Sequence, residues 1–296
     1  MTNLQFIVVI LLASLEIGGV YLAYEALHPY RYLARNEKTG RVVYVPPIVA
    51  EIENARRLRA EGKLAEAQKL LRNQLRLHGR RPEAKAAREL LGEINTEMFF
   101  STDVPFGKTE YVVKRGDSLW RIARKLGSSP SVIVRTNNME SDLIRPGERL
   151  FVPDGDFTLT LDLPDERAVI HHGEGFFKQY PIVSINLPHP IRTPITTKIK
   201  ASAFWKDGTK LNDPSPTEQA ASTPWLHLAF GGFILYGVSD EEGVSESAIE
   251  ISDRATDVSR RPDIPPRGIA LLKEDLEELQ LLIDRGTPVT IIGTKL

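Results

Sequence analysis

The spacing of apolar positions changes several times along this chain, and each change marks a boundary. Over residues 6–24 nearly every position is apolar, a run of about 19 residues that at about 1.5 Å per residue just spans a hydrocarbon core. It reads as a transmembrane signal anchor within residues 1–27, with Glu16 as a costly acidic position inside it. A cleaved signal peptide and a buried soluble helix are the alternatives. The first is disfavoured because no Lys or Arg precedes the run and no small-x-small site follows it.

Over residues 48–98 the period becomes helical. Ala55, Leu58, Leu64, Ala67, Leu70 and Leu71 stand at i, i+3, i+4 spacing, broken at Gly62 and Lys63. Two antiparallel helices are predicted, then a third from Pro82 carrying Ala84, Ala87, Leu90 and Leu91. Residues 101–108 hold Pro105 and Gly107 without a period and read as a linker.

Shorter elements follow. Tyr111-Val112-Val113-Lys114 is a β-type run, and Leu119, Ile122, Ala123 and Leu126 form a helical stripe opened by Asp117 or Ser118 and closed by Gly127. A second helix over residues 130–135 ends at Asn137 and Asn138, and a turn at Pro146-Gly147 leads to a closing strand. From Phe157 the pattern is that of strands, at residues 157–162, 167–170, 176–184, 198–204, 225–228 and 232–235. After a long polar stretch come a helix over 273–283 and a last strand near Val289.

Composition narrows the chemistry. The net charge of -1 comes with scattered basic residues, which argues against a nucleic-acid partner. The absence of cysteine removes disulfides, thiolate metal sites and cysteine nucleophiles together. His171-His172-Gly173 reads as a hairpin turn, because no carboxylate or third histidine stands at ligand spacing; no metal and no cofactor are expected.

The Gly116-Asp117-Ser118-Leu119-Trp120 block, the Asn137-Asn138 pair and the Ile144-Arg145-Pro146-Gly147-Glu148 block resemble LysM domains in type and spacing. That resemblance implies a βααβ module over residues 110–153 that binds N-acetylglucosamine-containing glycan such as peptidoglycan. It also implies a groove between the loops 116–119 and 143–147, with Gly116, Asp117, Ser118, Leu119, Asn137, Ile144, Arg145, Pro146 and Gly147 as candidate glycan-binding residues. Two readings stay open for Trp120, core or ligand contact, and two for Asn137, helix cap or ligand contact. Residues 55–92 resemble a single tetratricopeptide repeat through Gly62, Ala67, Pro82 and Ala87, which fits a helical spacer, a self-association hairpin or a protein-docking groove.

The order of strands over residues 157–292, with Thr193-Pro194, Trp225 and Arg285-Gly286-Thr287-Pro288-Val289, resembles the L,D-transpeptidase catalytic domain. That family forms an acyl-enzyme on a cysteine activated by a histidine. The family's Ser-His-Gly-Cys-Ile-Arg stretch aligns with Pro266-Arg267-Gly268-Ile269-Ala270-Leu271, and its upstream His-Gly pair with Tyr236-Gly237. The resemblance therefore places degenerate catalytic positions at Tyr236, Arg267, Ile269 and Leu271. Ile269 has no lone pair with which to attack a carbonyl, so no catalytic residue is assigned.

The predicted fold class is α+β and multidomain: an N-terminal transmembrane helix, a helical hairpin over 48–98, a βααβ LysM module over 110–153 and a mostly β L,D-transpeptidase-like domain over 157–292. The predicted function is peptidoglycan binding in the cell envelope with a non-catalytic C-terminal domain. An active enzyme with a non-cysteine nucleophile is the rival. Arg31, Arg35, Lys38 and Arg41 follow the apolar run and by themselves favour a cytoplasmic bulk. The wall-binding module favours the opposite side, and the expectation adopted is an inner-membrane anchor with the bulk outside the cytoplasm.

Overall fold

The computed structural model describes residues 33–35, 42–44, 46–104, 106–187, 189–191, 194–206, 209–211, 222–238 and 268–293. Among them no helix is long and apolar enough to cross a membrane. The expected anchor over 1–27, and Arg267, lie outside the described residues. Two compact units divide the chain, Met1–Ala87 and Arg88–Leu296.

In the first unit, β1 (Leu33–Arg35) pairs antiparallel with β2 (Val42–Tyr44). Helices α1 (Pro47–Ala60) and α2 (Leu64–His78) then form a hairpin. Gly62 turns the chain between them at φ +74°, a left-handed conformation that favours glycine. Ile48, Ile52 and Ala55 on one helix and Leu64, Ala67 and Leu71 on the other are buried. Leu58 and Leu70, expected on the same stripe, are only half-buried.

Helix α3 (Ala84–Phe100) begins in the first unit and runs on into the second. The second unit opens with a LysM-type module: β3 (Lys108–Val112), α4 (Leu119–Leu126), α5 (Pro130–Thr136) and β4 (Arg149–Pro153). Its own core is Val113, Leu119, Ile122, Ala123, Ile133, Leu150 and Val152. Leu126 of the expected stripe is half-buried.

Strands β5 (Phe157–Asp162), β6 (Arg167–His172), β7 (Gly175–Pro181), β8 (Ser184–Asn186), β9 (Ile195–Lys206), β10 (Thr209–Lys210), β11 (Thr223–Leu228), β12 (Ile234–Val238), β13 (Gly268–Leu272) and β14 (Pro288–Ile292) build one sheet. Their order is β7-β6-β5-β14-β9-β11-β12-β13-β8, with β10 paired to β9. The pairs β5–β14 and β12–β13 are parallel and the rest antiparallel. Period-2 burial is clear in β5, where Phe157, Leu159 and Leu161 point inward. Helix α6 (Lys273–Leu282) follows β13 directly and buries Leu276, Leu279 and Leu282 against the sheet.

Two boundaries differ from the sequence pattern. The hairpin does not extend to Met98, because Phe99 at the far end of α3 is fully buried in the sheet core, and Asn95 Nδ2 donates to the carbonyls of Phe176 (3.3 Å) and Phe177 (2.7 Å). Nor is 101–108 a slack linker. Lys108 Nζ donates to the carbonyls of Met98 (2.7 Å), Phe99 (3.1 Å) and Ser101, satisfying oxygens that the end of α3 leaves open. Burial lowers the Lys108 ammonium to about 8, against the pull of Asp103.

The LysM module also rests on the sheet. His172 Nε2 meets Asp154 Oδ1 just beyond β4, and its ring packs among Phe99, Phe106, Phe157 and Phe177. A Cβ on Gly107 would come within 2.8 Å of that ring, so only glycine allows this approach. The turn expected at His171-His172-Gly173 begins two residues late, at Gly173, since His171 and His172 are the last residues of β6.

Candidate functional site

In the LysM module two loops are stitched together at their bases. Val113 N–H donates to the Glu148 carbonyl and the Gly147 N–H donates to the Val113 carbonyl, both at 2.8 Å. Loops 116–119 and 143–147 therefore leave the β3–β4 ladder next to each other. Gly116 (φ +88°) and Gly147 (φ +92°) hold left-handed turns within them. Leu143 is 80% exposed, while Ile144 packs against the module core. Gly116, Ser118, Arg145, Pro146 and Gly147 are exposed, and Leu119 is buried.

The capping alternatives are resolved by geometry. Ser118 is the N-cap of α4, its hydroxyl accepting from Arg121 N–H at 3.4 Å. Asp117 closes the preceding turn: Oδ2 accepts from Lys114 N–H (2.8 Å) and from Tyr111 O–H (2.9 Å). These bonds, the backbone one first, hold its carboxyl below the usual range. Asn137 is the C-cap of α5. Its amide nitrogen donates to the carbonyls of Ile133 (2.7 Å) and Phe151 (2.8 Å), and its oxygen accepts from Phe151 N–H (2.8 Å). Asn137 thus caps α5, as one of its two readings has it, and its amide ties the end of that helix to β4. Trp120 is not core: it is 60% exposed, with the Arg124 guanidinium 5.3 Å from its ring.

In the sheet, the family-aligned positions do not converge. Ser202, Leu226, Leu235, Ile269 and Ile185 form one in-register row across β9, β11, β12, β13 and β8. Ile269 and Leu235, both fully buried, face the main core with Leu226. Tyr236 belongs to the adjacent row and therefore to the other face, packed with Trp225 and Ala270. Tyr236 and Ile269, aligned with partners in one active site, thus point to opposite sides of the sheet. Leu271 lies in the main core with Ile269. Tyr236 O–H has Ser184 Oγ at 3.5 Å, and burial raises the phenol's pKa.

The pattern of the sequence does not single out β13, because Gly268, Ile269, Ala270 and Leu271 are all buried and show no alternation. The Trp225-x-His227 and Ile234-x-Tyr236 alternations were the available signal for an aromatic face. Among the described residues no His, Asp and Glu cluster could hold a metal ion.

Comparison with known proteins matches this geometry at one place. Residues 111–153 match the LysM domain family and form a LysM domain. The Oxidation resistance protein 1 of Xenopus laevis is 38% identical over 58 residues, 20% of this chain and 7% of that protein, and its Xenopus tropicalis counterpart gives the same figures. The chain therefore spans only a small fraction of the curated relatives it matches. Among solved structures, an L,D-transpeptidase from Mycobacterium smegmatis is 10% identical at a TM-score of 0.29, over 49% of this chain and 63% of that one. One from Stackebrandtia nassauensis is 13% identical at 0.31, over 60% of this chain and 77% of that one. A point mutant of the Enterococcus faecium enzyme is 10% identical at 0.29, over 89% and 88%.

Proposed function

We propose that this protein binds peptidoglycan in the cell envelope, gripping N-acetylglucosamine-containing glycan through its LysM domain. The observation that carries this reading is the LysM domain over residues 111–153, whose two loops rise side by side from the bonds at Val113. Exposed turns over a rigid ladder suit a polymer that needs backbone donors, acceptors and some apolar contact. Gly116, Ser118, Arg145, Pro146 and Gly147 are available at that surface, with Asp117 and Leu119 supporting the loop from beneath. The apolar run at 6–24 anchors the chain in the inner membrane with its bulk outside the cytoplasm, a reading that rests on sequence. The test is cosedimentation of the detergent-solubilised full chain with purified sacculi in high salt. Protein that stays in the supernatant refutes glycan binding.

The C-terminal domain acts in this reading as a non-catalytic scaffold. Support comes from a chain without cysteine and from Ile269 lying in the sheet core. Muropeptide mass spectrometry after incubation with sacculi separates it from the rival. New cross-links or trimmed stem peptides establish an enzyme with a non-cysteine nucleophile, and an unchanged profile with protein in the pellet supports the scaffold. The α1–α2 hairpin is the proposed place for a protein partner, to be sought by cross-linking.

A further inference from the structure

One face of the α1–α2 hairpin carries charge of a single sign. Lys69, Arg72 and Arg76 stand at i, i+3 and i+7 on α2, on the side away from buried Leu64, Ala67 and Leu71, and Arg80 and Arg81 follow its end. All five cations are exposed, and no Asp or Glu occurs between Glu66 and Glu83. On neighbouring α1 the arginines are matched, Arg56 by Glu53 (3.1 Å) and Arg57 by Glu61 (3.2 Å). On α2, Arg76 donates only to the neutral amide oxygen of Asn73 (3.0 Å), and none of the five cations has an ion-pair partner among the described residues. The helix dipole favours cations in the last turn, which accounts for Arg76 and His78. It does not account for Arg72 and Lys69, one and two turns earlier, and Arg72 and Arg76 repel at i, i+4.

Beside these cations lies a depression of about 290 Å³, walled by Leu75, Arg76, Leu77, His78, Arg80 and Arg81. Leu77, in the midst of the arginines, is 51% exposed. An occupant of this surface must bring negative charge and apolar carbon together. A soluble polyanion brings the charge alone. An acidic phospholipid brings a phosphate that guanidinium groups hold bidentately, and next to it the glycerol and acyl carbons that suit Leu77. Position in the chain points the same way. Residues 25–46 follow the apolar run at 6–24 and reach at most about 75 Å even when fully extended, so an anchored chain keeps this surface close to lipid.

We propose that Lys69, Arg72, Arg76, Arg80 and Arg81, with Leu77 among them, dock the hairpin on a membrane surface of acidic phospholipid. The docking goes beyond the glycan reading. Its nearness to lipid rests on the proposed anchor, and the test reads the two apart. It engages α2 and leaves α1 to a protein partner.

The chain has no cysteine, so Leu77→Cys in the full chain gives one site for a polarity-sensitive fluorophore. Leu143→Cys, in the LysM module, serves as the comparison site. The protein is mixed with phosphatidylcholine vesicles, with or without phosphatidylglycerol, and floated on a density gradient. The expected result is a blue-shifted, brighter label at position 77 in the acidic vesicles only, with position 143 unmoved and the shift lost in molar salt. Arg76→Gln, Arg80→Gln and Arg81→Gln together should weaken docking about a hundredfold and abolish the shift. Protein that floats with both vesicles and emits alike in both overturns the docking and leaves the anchor standing. Protein that floats with acidic vesicles alone refutes the anchor and supports the docking. An equal shift at positions 77 and 143 marks general adsorption to charged lipid and overturns the assigned face. Reversal by soluble polyphosphate at a charge concentration well below that of the lipid assigns the face to an anionic polymer, which also overturns the proposal.

Discussion

In the LysM module the candidate glycan positions sit mostly on exposed loops, and in the sheet domain the family-aligned positions sit inside strands. Gly116, Arg145 and Gly147 meet solvent, whereas Ile269 and Leu271 are fully buried. The difference lies in what each part needs for its own stability. The module's core is small, and its loops are held by backbone and amide bonds such as those of Asn137, so their outer side chains are free for other work. The sheet domain instead spends β13 on packing, with four successive residues buried. A position enlisted in a core cannot at the same time present a nucleophile.

The sharpest way to break this comparison is to unfold one side of it. Ile133→Ala removes a fully buried side chain from the seven-residue module core and should cost about 3–4 kcal/mol. Loss of sacculus pelleting with retained far-UV signal from the sheet would show that binding resides in the module. Pelleting that survives loss of the module's structure would sink the assignment. Asn137→Ala comes next. It removes two hydrogen bonds to Phe151 of β4 and one to Ile133 of α5 and should cost about 2–3 kcal/mol, read as a lower urea midpoint. If Asn137→Ala binds glycan normally when folded at low temperature, its role is structural.

Ile269→Cys tests the sheet side. The substitution shrinks a core residue and should cost about 1–2 kcal/mol. More tellingly, the new thiol should stay inert to thiol reagents and to carbapenems until the protein unfolds, because it faces Leu235 and Leu271. Rapid labelling in the native protein would mean that the position opens to a cleft. The smallest effect is on pH dependence. Lys108 titrates at about 8 when folded, below its ordinary 10.5, so the unfolded chain binds more protons between those values. Stability relative to Lys108→Met should therefore rise as the pH goes from about 8 toward 10.5, in urea titrations at fixed ionic strength. A falling difference would show that the carbonyls of α3 hold the ammonium more strongly than burial opposes it.

Much of the module was legible in the sequence because its signals are local. The turn at Gly116, the cap at Ser118 and the stop at Gly127 each act within a few residues. The sheet was legible strand by strand but not in its faces. Opposition of Tyr236 and Ile269 depends on β12 and β13 pairing in parallel, and no single segment contains that information. The α3 boundary escaped for the same reason, since Ala87 and Leu90 continue one helical stripe while Asn95 and Phe99 answer to strand residues about 80 positions further on. Trp120 shows the limit of reading by residue type: a large aromatic beside a helix start suggests core, yet Leu119 takes that place and turns Trp120 outward.

The meeting of Lys108 and Pro153 as neighbours at one end of the β3–β4 ladder has a mechanical meaning. Chain enters and leaves the module at the same edge, so tension carried along the backbone does not stretch the module from end to end. It acts instead to peel that edge open one pair at a time, the weakest direction for a strand pair. The Lys108 contacts with α3 and the His172–Asp154 contact straddle this edge. Peeling the edge open must therefore also break the ties that join it to α3 and to the large sheet.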